Sequence, residues 1–481
     1  MHRRDSQEAR QLTIAIVGGG ASGTLLAVQL LRRSAESGTR LRIWLIDEHG
    51  RHGRGQAYAT HHPSHLLNAT AGRMSALPGD PQHLVAWANS SAAGQGHVGQ
   101  ATFLPRAVYG RYLLETLAAA QRAALPFGRL TRMTSAVTAI RPLSRRKGAR
   151  LHTGHGPLEA DVVVLATGNV PATLPFDAPE TGAVITDPWR PAALDLVTSG
   201  SGGCRVVVVG SGLTMADVAI AITGARPGSV VHAVSRHGLL PRVHPGETQG
   251  PQNSFWLPVF AQEQGPVRLT DVLWQVRQEL SASPDRWHQV MEGLRPHVPG
   301  LWSRMPDDDR RAFLRHLARY WDVHRHLMPP ATAARITALR QSGQLVLHQG
   351  RVLAARQRAG RLTVLADSAG NRTELDADWL INGTGGTVDI TAAASPLLRD
   401  LFSSGLARPD SLRLGIDTNS AGTVLGADGR PSAVVLHTLG PPLRGLWYET
   451  TAIPEIRNQA AALAEHITAT FAASRSSGSA A

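Results

Sequence analysis

The sequence predicts an α/β protein made of two Rossmann-like dinucleotide-binding domains of the three-layer ββα type, with the second inserted in the first. Three observations carry this prediction: two glycine turns and a strand ending that occurs twice. The turns are Gly18-Gly19-Gly20-Ala21-Ser22-Gly23 and, about 190 residues later, Gly210-Ser211-Gly212-Leu213-Thr214-Met215-Ala216. Each follows an apolar, β-branched run (Thr13–Val17, Val206–Val209) and opens a stretch with helical spacing. Strand, glycine turn and helix in that order present backbone N–H groups to a pyrophosphate at a helix N-terminus. One GxGxxG is a weak signal, but two in this context point to two dinucleotides held by one chain.

The first βαβ unit spans roughly 12–48. Its helix carries Leu25, Leu26, Val28, Leu30 and Leu31, and its second strand is Leu41–Asp47. Asp47 lies 24 residues after Gly23, where a carboxylate accepts hydrogen bonds from an adenosine ribose; Glu48 is the fallback. Residues 50–115 form a long irregular stretch, and a loop of that length in a compact protein is usually functional. Strands follow at Ser135–Ile140 and Ala160–Leu165, the latter ending in Ala166-Thr167-Gly168-Asn169. A similar ending recurs at Trp379-Leu380-Ile381-Asn382-Gly383-Thr384-Gly385-Gly386, where the chain is expected to have returned to the first domain.

After the second turn and its helix comes the strand Val230–Val234, followed by Ser235-Arg236-His237. A carboxylate there would repel a 2′-phosphate, whereas a hydroxyl and an arginine would bind it, so NADPH is expected over NADH. Met215 replaces the third glycine, which implies looser helix–strand packing. Residues 251–330 hold five of the ten tryptophans, with a helical texture broken by prolines. A helical subdomain whose tryptophans fill its own core is favoured over a lid. The expected domains are 1–195 and the return segment 379–472 for the first unit, and 196–378 for the second with its insertion at about 251–330. A disordered tail is expected over 473–481.

Composition narrows the function classes. A chain of 481 residues with 42% hydrophobic residues and 48 glycines fits a large α/β enzyme. No apolar run approaches the roughly 20 residues needed to span a bilayer. Arg3-Arg4 before Thr13–Val17 imitates a secretion signal, but the short apolar run leads straight into the glycine turn. A cytoplasmic protein without membrane contact is expected. The formal charge is +13, yet of the 49 lysines and arginines only Lys147 is a lysine, and the arginines are scattered. That pattern reads as composition bias, so nucleic acid is not an expected partner. Arg145-Arg146-Lys147 beside Gly148 reads as a solvated hairpin turn. Cys204 is the single cysteine, which removes any intramolecular dithiol relay and leaves a small buried residue.

With these motifs in place the chain resembles the bacterial FAD–NAD(P)-binding proteins of the YdhS type, distant relatives of flavin-containing and N-hydroxylating monooxygenases. The resemblance is carried by Ile16–Gly23, Gly53-Arg54-Gly55-Gln56-Ala57-Tyr58, Leu66-Leu67-Asn68, Leu165–Asn169, Trp321–His326 and Glu449–Arg457. It implies FAD in the first domain, over Gly18, Gly20, Ala21, Ser22 and Gly23, with Asp47 at the ribose. Tyr58, Asn68, Met74 and Ser75 would lie on the loop that approaches the isoalloxazine. Val137, Thr167, Gly168, Gly385, Gly440 and Ile453 would complete the cofactor contacts. Gly210, Gly212, Leu213, Thr214, Ser235 and Arg236 would hold NADPH. Leu439-Gly440-Pro441-Pro442 and Thr451–Glu455 read as a glycine turn into a helix with proline in its first turn, whose N-terminus suits the flavin N1/O2 edge.

The expected activity is that of a class B-like flavin monooxygenase. NADPH would reduce FAD, and a C4a-peroxyflavin formed with O2 would oxygenate a small molecule at a nucleophilic nitrogen or sulfur (N- or S-hydroxylation) or at a carbonyl. The FxGxxxHxxxW linker signature is absent; the nearest run is Thr186-Asp187-Pro188-Trp189. Two alternatives stay open, an NADPH:acceptor reductase and a non-catalytic flavoprotein redox sensor, and so does association into a homo-oligomer. No metal site is expected: His324 and His326, two apart on a helix, do not face one another and are expected to be solvated or capping.

Overall fold

The computed structural model describes residues 11–90, 96–144, 147–246, 265–282, 284–358, 360–386 and 389–478. Arg3-Arg4, Arg145-Arg146 and Trp256, which entered the sequence reading, lie outside the described residues. The chain begins with β1 (Leu12–Val17), α1 (Ala21–Ser37) and β2 (Leu41–Asp47). The stretch 50–115 is not irregular throughout: it contains α2 (His83–Ser90) and the start of α3 (Arg106–Ala124), after which comes β3 (Gly128–Thr134). An antiparallel meander of β4 (Val137–Pro142), β5 (Ala149–Thr153) and β6 (Gly156–Ala160) leads into β7 (Val162–Leu165). Strands β1, β2, β3 and β7 pair in parallel; the central β1 and β7 are buried on both faces and correspondingly rich in Val, Ile and Leu, whereas the edge-side β3 alternates with exposed polar residues.

The second unit repeats this plan. It comprises β8 (Val184–Ile185), α4 (Ala193–Thr198), β9 (Arg205–Val209), α5 (Leu213–Ala225) and β10 (Val230–Ser235). A helical stretch follows: α6 (Leu269–Ala282), α7 (Trp287–Leu294), α8 (Val298–Arg304), α9 (Asp307–His316), α10 (Ala318–Arg325) and α11 (Pro330–Gln341). β11 (Leu345–Gln349) then joins the sheet, and β12 (Arg351–Arg358), β13 (Arg361–Ser368) and β14 (Asn371–Ala377) form a second meander. β15 (Trp379–Asn382) closes a parallel sheet of order β11-β10-β9-β15-β8. The chain then runs through α12 (Pro396–Ser403), β16 (Leu436–Thr438), α13 (Arg444–Trp447) and α14 (Ile453–Gly478). β16 adds to the first sheet beside β7, and α14 packs on α1. Each unit thus stacks helices, parallel sheet and meander, which is the three-layer arrangement the sequence predicts.

Three expectations about organisation change. Trp379–Asn382 is not a return strand: it pairs with Trp379↔Val206 through Asn382↔Val209, inside the second sheet. β8, expected in the first domain, pairs with β15 and also belongs to the second sheet. The repeated strand ending arises because each unit has its own strand beside its own glycine turn. Nor does the tail begin disordered after Ala472, because α14 continues to Gly478.

The tryptophans do not make a private core for the helical insertion. Trp302, 3% exposed, shares a cluster with Leu414 and Tyr448 of the return segment. Its ring lies 4.6 Å from that of Tyr448, and its indole N–H donates to Gly445 O at 2.9 Å. Trp321 donates to Glu449 at 2.8 Å. The insertion is therefore latched to the segment that leads into α14.

Candidate functional site

The two glycine turns have nearly the same backbone. Gly18 and Gly210 both have φ of 114°, a value that suits glycine, and Gly20 and Gly212 cap their helices with φ of −70° and −82°. A β-carbon at Gly18 would collide with the Ala166 carbonyl at the end of β7. One at Gly210 would lie 2.5 Å from the Gly383 carbonyl at the end of β15. Neither helix has an acidic residue in its first turn or a capping side chain. Their first N–H groups therefore meet any incoming phosphate without competition. Thr167, just beyond β7, keeps a buried hydroxyl without a partner. These features fit an FAD pyrophosphate at the first turn.

What stands behind each turn differs. Asp47, ending β2, accepts from Gly19 N at 3.2 Å and from Arg51 N at 2.8 Å. Ser235, ending β10, occupies the matching place. Its hydroxyl is 2.8 Å from that of Ser211 and accepts from Gly238 N at 3.1 Å. Arg236 beside it is exposed. A carboxylate serves the first turn, and a hydroxyl with a free-standing guanidinium serves the second. Met215 does not loosen the second turn, because it is fully buried in one cluster with Val206 and Val208 and fills the space itself.

The return segment reaches back to the first turn. Gly440, with φ of 74°, sits so close that a β-carbon there would lie 2.6 Å from the Ser22 hydroxyl. Its carbonyl accepts from Thr450 at 2.9 Å, and its N–H donates to Gln459 of α14 at 2.8 Å. Ile453, buried at the start of α14, holds that helix in the first core.

The loop after β2 is placed only in part as expected. Gly55, with φ of 54°, packs against Gly20, and Gly53 N donates to Gly19 O at 2.8 Å, so 51–55 braces the turn. Gly55 was not singled out for this role; the Gly-x-Gly following β2 is the signal that would have found it. Tyr58 packs edge-on against Tyr109 at 4.7 Å, and burial pushes its hydroxyl up to about 12. Met74 is 4% exposed and belongs to the first core. Ser75 is buried, its hydroxyl engaged by Asp80 O at 2.5 Å and Leu77 N at 3.1 Å. Met74 and Ser75 thus serve packing and loop closure; of the four residues expected to approach the isoalloxazine, Asn68 alone is exposed.

His326 is the C-cap of α10, its N–H donating to Asp322 O at 2.8 Å, and the His324 ring lies 2.7 Å from Tyr320 O, so the capping role is present while neither ring is fully solvated. The His324 ring stacks edge-on against Trp287 at 5.3 Å, and burial lowers its pKa. Arg325 between them pairs with Glu449 at 3.0 Å. Burial opposes the Glu449 charge, but Arg325 and His326 outweigh it and hold the carboxyl below its usual range. Arg295 pairs with Glu455 of α14 at 2.7 Å, and Arg73 pairs with Glu292 at 2.5 Å. These ion pairs tie the insertion to the loop and helix around the first turn. Among the described residues no group of His, Cys, Asp and Glu is arranged to hold a metal ion. No helix among them is long and apolar enough to cross a membrane. Cys204 is buried, 3.4 Å from the Ser229 hydroxyl.

Comparison with known proteins agrees with this geometry. Residues 15–170 match a family model described as FAD-NAD(P)-binding. No curated protein matches the sequence. The fold is similar to that of the ornithine N-hydroxylase of Kutzneria sp. 744, at 16% identity and a TM-score of 0.61, over 96% of this chain and 100% of that one. It is similar to L-lysine 6-monooxygenase from Pseudomonas syringae, at 15% identity and a TM-score of 0.64, over 95% of this chain and 98% of that one. The bacillithiol disulfide reductase of Staphylococcus aureus has a TM-score of 0.53 at 12% identity, over 96% of this chain and 99% of that one. These likenesses are of fold alone, and they bear on no YdhS type.

Proposed function

We propose that this chain is an FAD-dependent, NADPH-using oxidoreductase that oxygenates a small molecule at nitrogen or sulfur. The observation that carries it is the pair of like glycine turns, backed by Asp47 in the first and by Ser235 and Arg236 in the second. Gly18–Gly23 would hold the FAD pyrophosphate on backbone N–H groups, with Asp47 placed for the ribose. Gly440 and the start of α14 would close over it. Gly210, Gly212, Leu213 and Thr214 would hold the NADPH pyrophosphate, and Arg236 with Ser235 its 2′-phosphate. When bound, FAD supplies the chemistry: hydride acceptance from NADPH and delivery of the electrons to oxygen. The only cysteine, Cys204, lies in the second core, so this chain offers no dithiol to receive those electrons.

The solved proteins of like fold named as an ornithine N-hydroxylase and an L-lysine 6-monooxygenase support an amine as the first substrate class to try. The test is to reconstitute the purified protein with FAD and follow NADPH oxidation, oxygen uptake and hydroxylated product with a panel of amino acids, diamines and thioethers. Oxygenated product in step with NADPH oxidation supports the reading. NADPH oxidation that needs an added quinone or dye, with no oxygenated product, makes the protein a reductase. FAD binding without NADPH turnover makes it a sensor.

A further inference from the structure

Loop 51–55 braces the first glycine turn on one side, and its other side lines a separate cavity. That cavity, of about 750 Å³, lies between the segment after β2 and residues 188–198. Arg51, Arg54, Arg132 and Arg190 all line it, with His49 and Trp189. Asp195 is the one carboxylate on its wall. None of Gly18–Gly23, Asp47, Val137 or Thr167 lines it, and neither does any residue of the second turn. Its size falls within the roughly 300–1,000 Å³ common for small-molecule sites.

The charges there are not spent on the protein. Arg51 donates one N–H to Trp189 O at 3.0 Å, which fixes the far wall. Gln56 holds Asp187 at 3.1 Å and fixes it again. Among the described residues none of Arg51, Arg54, Arg132 and Arg190 forms an ion pair with a carboxylate. Four guanidiniums around one concavity repel each other, and an anion accepting their paired N–H groups relieves that repulsion. Ala192, on the same wall, has φ of 59°, a left-handed backbone that non-glycine residues resist and that clusters at ligand sites.

We infer that this cavity is a binding site for a phosphate-bearing small anion, separate from both dinucleotide turns. Guanidinium forks match phosphate geometry, and a cavity of this volume accommodates a mononucleotide. The wall it shares with the first turn places an occupant one loop away from Gly19 and Gly20.

The test is isothermal titration with inorganic pyrophosphate and, separately, with ADP, on the purified protein before and after FAD loading. Arg132→Gln/Arg190→Gln is compared with the parent and with Arg236→Gln. Both altered cavity residues are exposed, so the double variant should keep its Tm. The expected result is saturable binding that weakens at least tenfold in the double variant, persists in Arg236→Gln and falls with salt. Tighter binding of ADP than of pyrophosphate, lost in Trp189→Ala, would identify a nucleotide; equal binding would identify phosphate alone. No binding of either anion at millimolar concentration overturns the inference, as does binding that ignores the double variant. Loss of FAD in the double variant also overturns it, by assigning the cavity to the FAD site. Failure to bind FAD in the parent would instead count against the proposed function and leave the anion titration readable.

Discussion

Asp217 of α5 and Arg106 at the start of α3 meet at 2.6 Å, an ion pair that joins the two dinucleotide units. Asp217 is buried, and burial pushes its carboxyl up while Arg106 pulls it down. The Arg106 guanidinium also lies 5.5 Å from the Trp189 ring, and His65 reaches Asp217 O at 3.2 Å. The helix after the second glycine turn is thereby fixed against the first unit.

Removing Asp217 leaves Arg106, a half-buried guanidinium, without its counter-charge. Asp217→Ala should lose about 3–5 kcal/mol of unfolding free energy, the usual cost of breaking a buried pair from one side. Denaturant titration reads the loss. A change within 0.5 kcal/mol would show that the pair does not hold the units together.

The two turns should answer alanine differently. At Gly23 a β-carbon would collide with the Gly18 carbonyl, so Gly23→Ala should abolish FAD content or folding. At Gly212 nothing lies within 4 Å, so Gly212→Ala should fold and keep FAD. Its added methyl stands where a pyrophosphate must approach, and NADPH affinity should fall about tenfold. Flavin absorbance and NADPH titration distinguish the two outcomes.

Arg236→Gln should weaken NADPH about tenfold and leave NADH unchanged, since only the 2′-phosphate loses its charge-assisted partner. Equal losses for both nucleotides would move the phosphate site elsewhere.

Stability should fall in mild acid. Burial, with Arg106 and His62 nearby, lowers the His65 pKa to about 3, and burial next to His466 lowers that of His437 to about 4. Both rings are neutral when folded and take a proton more readily when unfolded, near the ordinary value of 6.5. Their contribution is therefore fully present above about pH 6.5 and is lost as pH falls towards 4 and then 3, a few kcal/mol in all. Tm measured from pH 8 to 4 should drop, and less steeply in His437→Gln than in the parent.

Trp302→Ala should cost about 3–5 kcal/mol, the range for truncating a buried tryptophan, and release α8 from Tyr448 and Gly445. Limited proteolysis should then cut the insertion while the first core stays protected. An unchanged cleavage pattern would mean that the latch lies elsewhere.

The sequence by itself determined both glycine turns and the positions of Asp47, Ser235 and Arg236 at the strand ends behind them, because those signals are local: a β-branched run, glycines demanded by backbone angle and close approach, and a residue at the next strand end. Only the tertiary structure decided that Trp379–Asn382 completes the second sheet, because the same apolar strand can pair in either and non-local neighbours choose. It also turned Met74 and Ser75 inward, placed Trp302 and Trp321 against the return segment, and joined Arg106 to Asp217. Such pairings between residues far apart in sequence leave no periodic or spacing signal, since burial and counter-charge are properties of the packed chain.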